Sequence, residues 1–228
     1  MNTCVSRLSR IVYTNGMANL FSRLFNLGKT KRSRVVMTAE LDRLCQFENA
    51  LNELLKQDIY IARSDFKILR DEYACIFSHF KVLRDSKTLR YYCQEYNFEE
   101  KRIIQFLLHY EDLLNDDRAQ IIIEHNNKYI SRHLESEKEY LNTILTNIDP
   151  NIKLDEEQRK VVLSDEDYTL VIAGAGAGKT TTIVGKVKYL LLTKQYKPED
   201  ILLLSFTNAS ASEMKERIKK ETGIDLDV

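Results

Sequence analysis

The sequence predicts an α/β fold for residues 150–228, preceded by a long helical region. Two observations carry this prediction. Between Gly28 and Pro150 the chain contains neither glycine nor proline and is rich in leucine, glutamate, lysine and arginine, which favour long helices. Beyond Pro150, two short apolar runs at residues 168–172 and 201–205 are each followed by a helical pattern. A strand, helix, strand, helix order is typical of the start of a parallel sheet.

The region from 40 to 149 shows four stretches in which apolar residues recur every three or four positions. This spacing predicts helices that each bury one face, either in a bundle or in a stalk. Nothing in the pattern indicates what this accessory region binds, so its protein partner stays unknown. The apolar positions are Leu41, Leu44, Leu51, Leu54 and Leu55; Phe66, Leu69, Tyr73, Ile76, Phe77 and Phe80; Ile103, Ile104, Leu107 and Leu108; and Tyr129, Ile130, Leu134, Tyr140, Leu141 and Ile144.

Charge is unevenly distributed, although the formal net charge is zero. No acidic residue precedes Glu40, whereas seven arginines and lysines do, so residues 1–39 are predicted to form a basic, flexible arm. Both nucleic-acid contact and a solvated tail are compatible with this arm. No stretch approaches the roughly twenty apolar residues that span a bilayer, and the cysteines are scattered. We therefore expect a cytoplasmic protein without a membrane segment.

Residues 173–180 read AGAGAGKT and lie between the first predicted strand and its helix. A glycine-rich turn in this position lets backbone N–H groups bind phosphates, while a lysine and a hydroxyl complete the site. We expect Lys179 to contact the phosphates and Thr180 to bind Mg²⁺, both as catalytic groups with ATP and Mg²⁺ as cofactors. The nucleotide-binding residues predicted here are Ala173, Gly174, Ala175, Gly176, Ala177, Gly178, Lys179, Thr180 and Thr181. Ala173 stands where the strict pattern has glycine.

Two polar features flank this loop. The acidic residues Asp165, Glu166 and Asp167 precede the predicted strand and are interpreted as a polar turn. Ser210 and Glu213 have the spacing of a capping box, which predicts a helix beginning near Ser210 and ending near Lys220.

Three segments now stand in order: LDEEQRKVV at 154–162, AGAGAGKTTTI at 173–183 and LLLSFTNASASEMKERI at 202–218. Together they resemble the Q motif, motif I and motif Ia of superfamily 1 helicases of the UvrD/Rep type. The helical region ahead of them is most similar to that of DNA helicase IV. The resemblance implies an incomplete RecA-like P-loop NTPase domain (domain 1A) at residues 150–228, and an ATP-dependent DNA helicase that translocates 3′ to 5′.

The resemblance also implies roles for individual residues. Gln158 would bind the adenine edge, since a carboxamide can both donate and accept hydrogen bonds there. Its spacing from Asp155 equally fits a helix cap. Phe206, Thr207 and Asn208 would contact single-stranded DNA, although Phe206 could instead be a core aromatic. Ala209 replaces the lysine that is common in the family, which removes one expected phosphate contact.

Hydrolysis additionally requires an acidic pair and arginines, which in such helicases follow motif Ia. None is recognisable before Val228, so we expect these residues to be the N-terminal piece of a longer helicase and to be inactive alone. Two other functions stay open: a non-catalytic nucleotide- or DNA-binding module, and a helical interaction protein. Duplex or single-stranded DNA and ATP are the expected partners.

Overall fold

A computed structural model describes residues 31–84, 87–115, 119–194 and 196–226. Residues 1–30 of the predicted basic arm lie outside this description, whereas residues 31–39 lie in the first helix. No described helix is both long enough and apolar enough to cross a membrane. The helices, in chain order, are α1 Lys31–Lys56, α2 Arg63–Leu83, α3 Lys87–Glu95, α4 Glu100–Leu113, α5 Gln120–Ser136, α6 Lys138–Thr143, α7 Glu156–Leu163, α8 Lys179–Leu192 and α9 Asn208–Thr222, with a 3₁₀ turn at Pro198–Asp200.

The chain folds as two compact units that are interleaved in sequence. The first unit contains the described residues up to Leu54 together with Leu69–Leu114, and the second contains Leu55–Ile68 and Asn115–Val228. Both units therefore draw on the helical region, because the segment 55–68 belongs with the residues that follow 115. The domain boundary near residue 150 stays a prediction.

The core of the first unit is aromatic. Phe47 packs edge-on against Tyr73 and Phe106, with ring centroids 5.4 and 5.0 Å apart. Phe77 stacks on Tyr110 at 4.4 Å. The Tyr110 hydroxyl donates a hydrogen bond to the carbonyl of Arg70, and burial raises the pKa of Tyr110 to about 12. The periodic apolar positions that carry these rings are therefore core residues.

In the second unit, side chains of α5 and of the loop at 165–167 hold the segment before α2. The carboxamide of Asn126 accepts from the Ile61 N–H and donates to the Ile61 carbonyl, both at 2.9 Å. Asp167 accepts hydrogen bonds from the backbone N–H and the hydroxyl of Ser64 at 2.7 and 2.8 Å, and Glu166 accepts from the N–H of Arg63. Helix N-termini favour such carboxylates, so this acidic turn caps α2.

The larger core of the second unit lies between α7, α8 and α9. Within it, Lys188 of α8 and Glu221 of α9 form a buried ion pair at 2.7 Å. The second carboxylate oxygen of Glu221 accepts from the N–H of Ile148 at 2.6 Å. The pair therefore ties two helices to the turn after α6. The buried apolar residues of this core include Leu141, Leu145, Leu154, Val162, Leu163, Val184, Val187, Tyr189, Met214 and Ile218.

The prediction of an α/β fold for residues 150–228 is wrong: the described residues contain no β-strand. Residues 168–172 and 201–204 have no strand pairing, and Leu170, Ile172 and Leu204 are 84, 90 and 83% exposed. Ile201 and Leu203, by contrast, pack against the helical core. Helices thus cover one side of the second run only, since every residue of the first is exposed, and no described segment pairs with the backbone of either run. An apolar run shows that a segment can be extended, but a strand also needs a hydrogen-bonded neighbour.

Helix α9 also begins earlier than the sequence predicts. Its N-cap is Thr207, whose hydroxyl accepts from the Ser210 N–H at 3.2 Å, and the helix runs from Asn208 to Thr222. The Ser210 hydroxyl forms hydrogen bonds with the hydroxyls of Ser205 and Thr207 and does not cap the helix. Helix α9 ends before Gly223, whose φ of 73° is the left-handed value that suits a glycine after a helix.

Candidate nucleotide site

The candidate site is the loop that leads into α8. Gly176 and Gly178 have φ values of 77° and 78°, a left-handed conformation that side chains rarely adopt. A Cβ added at Gly174 or Gly176 would meet no atom within 4 Å, so this side of the loop is open. The glycines therefore give the loop both its turn and the space for a ligand to approach its backbone.

The N-terminus of α8 presents N–H groups without a side-chain cap. Its N-cap is Gly178, no side chain caps the helix, and its first turn contains no acidic residue. The first N–H groups of any helix lack partners within the helix and carry partial positive charge. Gly178 accepts from the N–H and the hydroxyl of Thr182, at 2.9 and 3.0 Å, which anchors the loop to the helix. This arrangement suits an anion such as phosphate.

Lys179 is exposed at the start of α8 and its ammonium folds over the loop. It donates to the carbonyls of Ala173 and Gly174, at 2.9 and 2.6 Å. The charge is thereby held beside the loop backbone and next to the uncapped helix end. Thr180 follows on the first turn and is partly buried. Ala175, Ala177 and Thr181 complete the predicted phosphate-binding segment, with the two alanines exposed.

The residues present fit a nucleotide-bound Mg²⁺. Magnesium in such sites takes only one or two protein ligands and draws the others from phosphates and water. The Thr180 hydroxyl could supply one such ligand at the start of α8. Among the described residues, no group of three histidine, cysteine, aspartate or glutamate side chains could hold a metal ion.

Gln158 contacts the phosphate loop directly. Its Nε2 donates to the carbonyl of Ala177 at 3.1 Å, and a Cβ at Gly178 would lie 2.7 Å from this atom. Its Oε1 accepts from the Asp155 N–H, and the Asp155 carboxylate accepts from the Gln158 N–H, which forms the capping box. The helix cap expected from the sequence is therefore present. The same side chain also lies against the loop, where the adenine role stays a prediction.

The three residues predicted to contact DNA lie together at the start of α9. Phe206 is fully exposed, so the alternative that it is a core aromatic is wrong. Thr207 is the N-cap and Asn208 is the first helical residue, and both are exposed. Exposed aromatic and polar groups in sequence suit base stacking and phosphate contacts. DNA contact by these residues stays a prediction.

Comparison with known proteins shows which family this segment resembles. Residues 154–226 match the UvrD/REP helicase N-terminal domain. The match supports a relationship of this segment to UvrD-like superfamily 1 helicases. No solved structure matches the chain.

Several curated relatives carry the same segment. The ATP-dependent DNA helicase PcrA of Staphylococcus aureus is 40% identical over 75 residues, which are 33% of this chain and 10% of that protein. The ATP-dependent DNA helicase srs2 of Schizosaccharomyces pombe is 43% identical over 70 residues, 31% of this chain and 8% of its own length. UvrD1 of Mycobacterium leprae is 37% identical over 70 residues, 31% of this chain and 9% of its length. The matched part thus spans about a tenth of these relatives.

Within the UvrD-like segment, the sequence motifs did not indicate the residues that pack α8 against α7. Gly185 lies where α8 crosses α7, and a Cβ there would be 3.2 Å from Leu154. Lys186 donates to the carbonyl of Val162 at 3.0 Å and to that of Ser164. The sequence signal for these roles is a glycine and a lysine placed among the apolar residues in the middle of α8. The resemblance to DNA helicase IV stays a prediction.

Proposed function

We propose that this chain is the N-terminal part of an ATP-dependent DNA helicase and that residues 154–226 bind Mg²⁺–ATP and single-stranded DNA. The observation that carries the proposal is the match of this segment to the UvrD/REP domain, in a chain whose glycine loop opens onto an uncapped helix N-terminus. The PcrA, srs2 and UvrD1 relatives are all described as ATP-dependent DNA helicases.

Phosphate binding is the first step. The N–H groups at the start of α8 and of the open loop donate hydrogen bonds to the phosphate oxygens. The Lys179 ammonium, which donates to two loop carbonyls, exchanges them for phosphate oxygens, which are stronger, charged acceptors. The Thr180 hydroxyl would hold Mg²⁺, which would supply neutralisation of the phosphate charge.

Adenine recognition belongs to Gln158. Its side chain projects from the first turn of α7 to the carbonyl of Ala177, so it reaches the nucleotide loop. A carboxamide presents one acceptor and two donors, which match the N6 and N7 atoms of adenine but not the corresponding atoms of guanine. One N–H of Nε2 can keep its hydrogen bond to the carbonyl of Ala177 while the second N–H and Oε1 bind the base.

DNA contact belongs to the start of α9. Phe206 projects fully into solvent, where an aromatic ring can stack on an unpaired base. Helix α9 packs in the same core as α8, whose N-terminus carries Lys179. A shift of α8 on nucleotide binding would therefore reach the DNA-contacting residues through a packed core. In the full-length protein we propose that hydrolysis drives 3′ to 5′ translocation in this way, in the cytoplasm.

The test is an ATPase assay on the full-length gene product with and without single-stranded DNA. We expect DNA-stimulated hydrolysis that Lys179→Ala abolishes and Lys160→Ala retains, because Lys160 lies on the surface of α7. A polypeptide of the 228 residues alone is expected to bind ATP without unwinding DNA. Full-length protein that binds ATP but never hydrolyses it, with or without DNA, would instead identify a non-catalytic binding module.

A further inference from the structure

Two lysine hydrogen bonds join α8 to the far end of the helix that carries Gln158. The Lys186 ammonium donates to the carbonyl of Val162 at 3.0 Å and to that of Ser164, the C-cap of α7. The last carbonyls of a helix lack partners within the helix and carry partial negative charge. A lysine from a neighbouring helix therefore supplies hydrogen-bond donors to the free carbonyls at the C-terminus of α7.

The two ends of α7 are held by different segments. At the N-terminal end of α7, Gln158 donates to the carbonyl of Ala177, in the loop before α8, at 3.1 Å. At the C-terminal end, Gly185 brings the backbone of α8 close to α7, since a Cβ there would be 3.6 Å from a Val162 methyl. Together with Lys186, this contact holds the C-terminal end of α7 to α8, while Gln158 holds the N-terminal end to the loop.

The side chain of Lys186 is partly buried. Burial lowers the pKa of Lys186, an effect opposed by Asp165 and reinforced by Lys194. A buried ammonium is unfavourable unless its protons are donated to good acceptors, so the geometry of the two carbonyls is strongly constrained. A neutral or shorter side chain would release the end of α7.

We propose that Lys186 is a positioning residue that fixes α7 against the phosphate loop and thereby sets the adenine selectivity of Gln158. The proposal rests on the proposed function of Gln158. Small displacements suffice for this effect, because hydrogen bonding to a base edge requires donor–acceptor distances near 3 Å. Lys186 does not touch the phosphates, so phosphate affinity is independent of it.

The experiment measures equilibrium binding of Mg²⁺–ATP, Mg²⁺–GTP and Mg²⁺–tripolyphosphate to the purified chain. We expect the unsubstituted chain to prefer ATP over GTP, and Lys186→Met to reduce this preference about tenfold, the effect of one charged hydrogen bond. Tripolyphosphate affinity should not change. Lys186→Arg keeps charged donors and should retain most of the preference. Lys160→Met, a matched lysine on the surface of α7, should bind like the unsubstituted chain.

A double-mutant cycle distinguishes positioning from general destabilisation. Gln158→Ala should lower the ATP preference as Lys186→Met does, and the double variant should lose no more than either single variant. If Lys186→Met does not fold, as judged by circular dichroism, the cycle is carried out with Lys186→Gln, which keeps two N–H donors but no charge.

Two outcomes would overturn the assignment. If Lys186→Met keeps the ATP to GTP preference, or loses tripolyphosphate and ATP affinity equally, Lys186 does not position Gln158. If the unsubstituted chain binds neither ATP nor tripolyphosphate, the proposed function itself fails, and the assignment with it.

Discussion

At the scale of single residues, the turn at residues 173–180 could be predicted because its conformation depends on local residues, whereas phosphate binding there stays a prediction. Glycines at alternate positions followed by lysine and threonine define a turn, and two of these glycines adopt the left-handed φ. Lys186 and Glu221 could not be predicted in the same way. Their partners lie 22–24 and 33–73 residues away in sequence, and only the packing of helices brings them together.

Gly178 and Gly176 provide a matched pair, because both have a left-handed φ but only Gly178 faces Gln158. Alanine at either position should destabilise the fold by about 1–2 kcal/mol through backbone strain alone. Gly178→Ala should in addition displace Gln158, whose Nε2 lies 2.7 Å from the added Cβ. Binding titrations should therefore show a larger loss of ATP relative to tripolyphosphate for Gly178→Ala. Equal losses for the two variants would mean that Gln158 does not act at the base.

His79 makes the first unit sensitive to acid. Burial lowers the pKa of His79, Glu40 opposes this only in part, and the Nε2 atom has no hydrogen-bond partner within the described part of the chain. The unfolded chain, with a histidine pKa of about 6.5, therefore binds this proton more readily than the folded chain. The free energy of unfolding should fall as pH decreases below about 6.5, and His79→Gln should reduce that slope. Urea unfolding at several pH values measures the free energy of unfolding. Identical slopes with pH for the unsubstituted chain and His79→Gln would contradict the prediction.

At the scale of elements, periodicity predicted helices, whereas apolar runs were insufficient to predict strands. The runs at 168–172 and 201–205 are apolar, yet pairing depends on a neighbouring backbone that a local pattern cannot reveal. Capping was only partly predictable. Asp155 and Gln158 form the capping box, whereas the start of α9 is capped by Thr207, three residues before the capping pair that the sequence indicated.

The buried pair of Lys188 and Glu221 should be essential for the packing of α8 on α9. Glu221→Leu leaves a buried ammonium and the Ile148 N–H without acceptors, and should destabilise the chain by about 3–5 kcal/mol. Adding Lys188→Met should recover a large part of this loss, since an apolar pair of similar volume removes the uncompensated charge. Chemical denaturation of both variants measures the difference.

The surface pair of Arg217 and Glu213 on the same helix is the control for this prediction. It is an exposed i, i+4 pair at 2.7 Å, so Glu213→Leu should cost less than about 1 kcal/mol. A Glu221→Leu variant as stable as Glu213→Leu would show that the buried pair does not hold the helices together.

At the scale of the whole molecule, the described chain forms two units that are interleaved in sequence, and the helical region ahead of residue 150 contributes to both. The division follows long-range contacts, such as those of Asn126 with Ile61 and of Asp167 with Ser64, which no local pattern announces. The acidic turn at 165–167 was expected only to be polar. It caps α2 and so joins the segment before the phosphate loop to the start of that helix.

The central claim is that the loop before α8 binds the phosphates of ATP, and calorimetric titration of the chain with Mg²⁺–ATP tests it most directly. The account predicts saturable binding that Lys179→Ala weakens by about tenfold or more, the effect of losing a charged hydrogen-bond donor. Lys160→Ala should leave the affinity unchanged. Absence of binding by the unsubstituted chain, or equal affinity in the Lys179→Ala variant, would contradict the account.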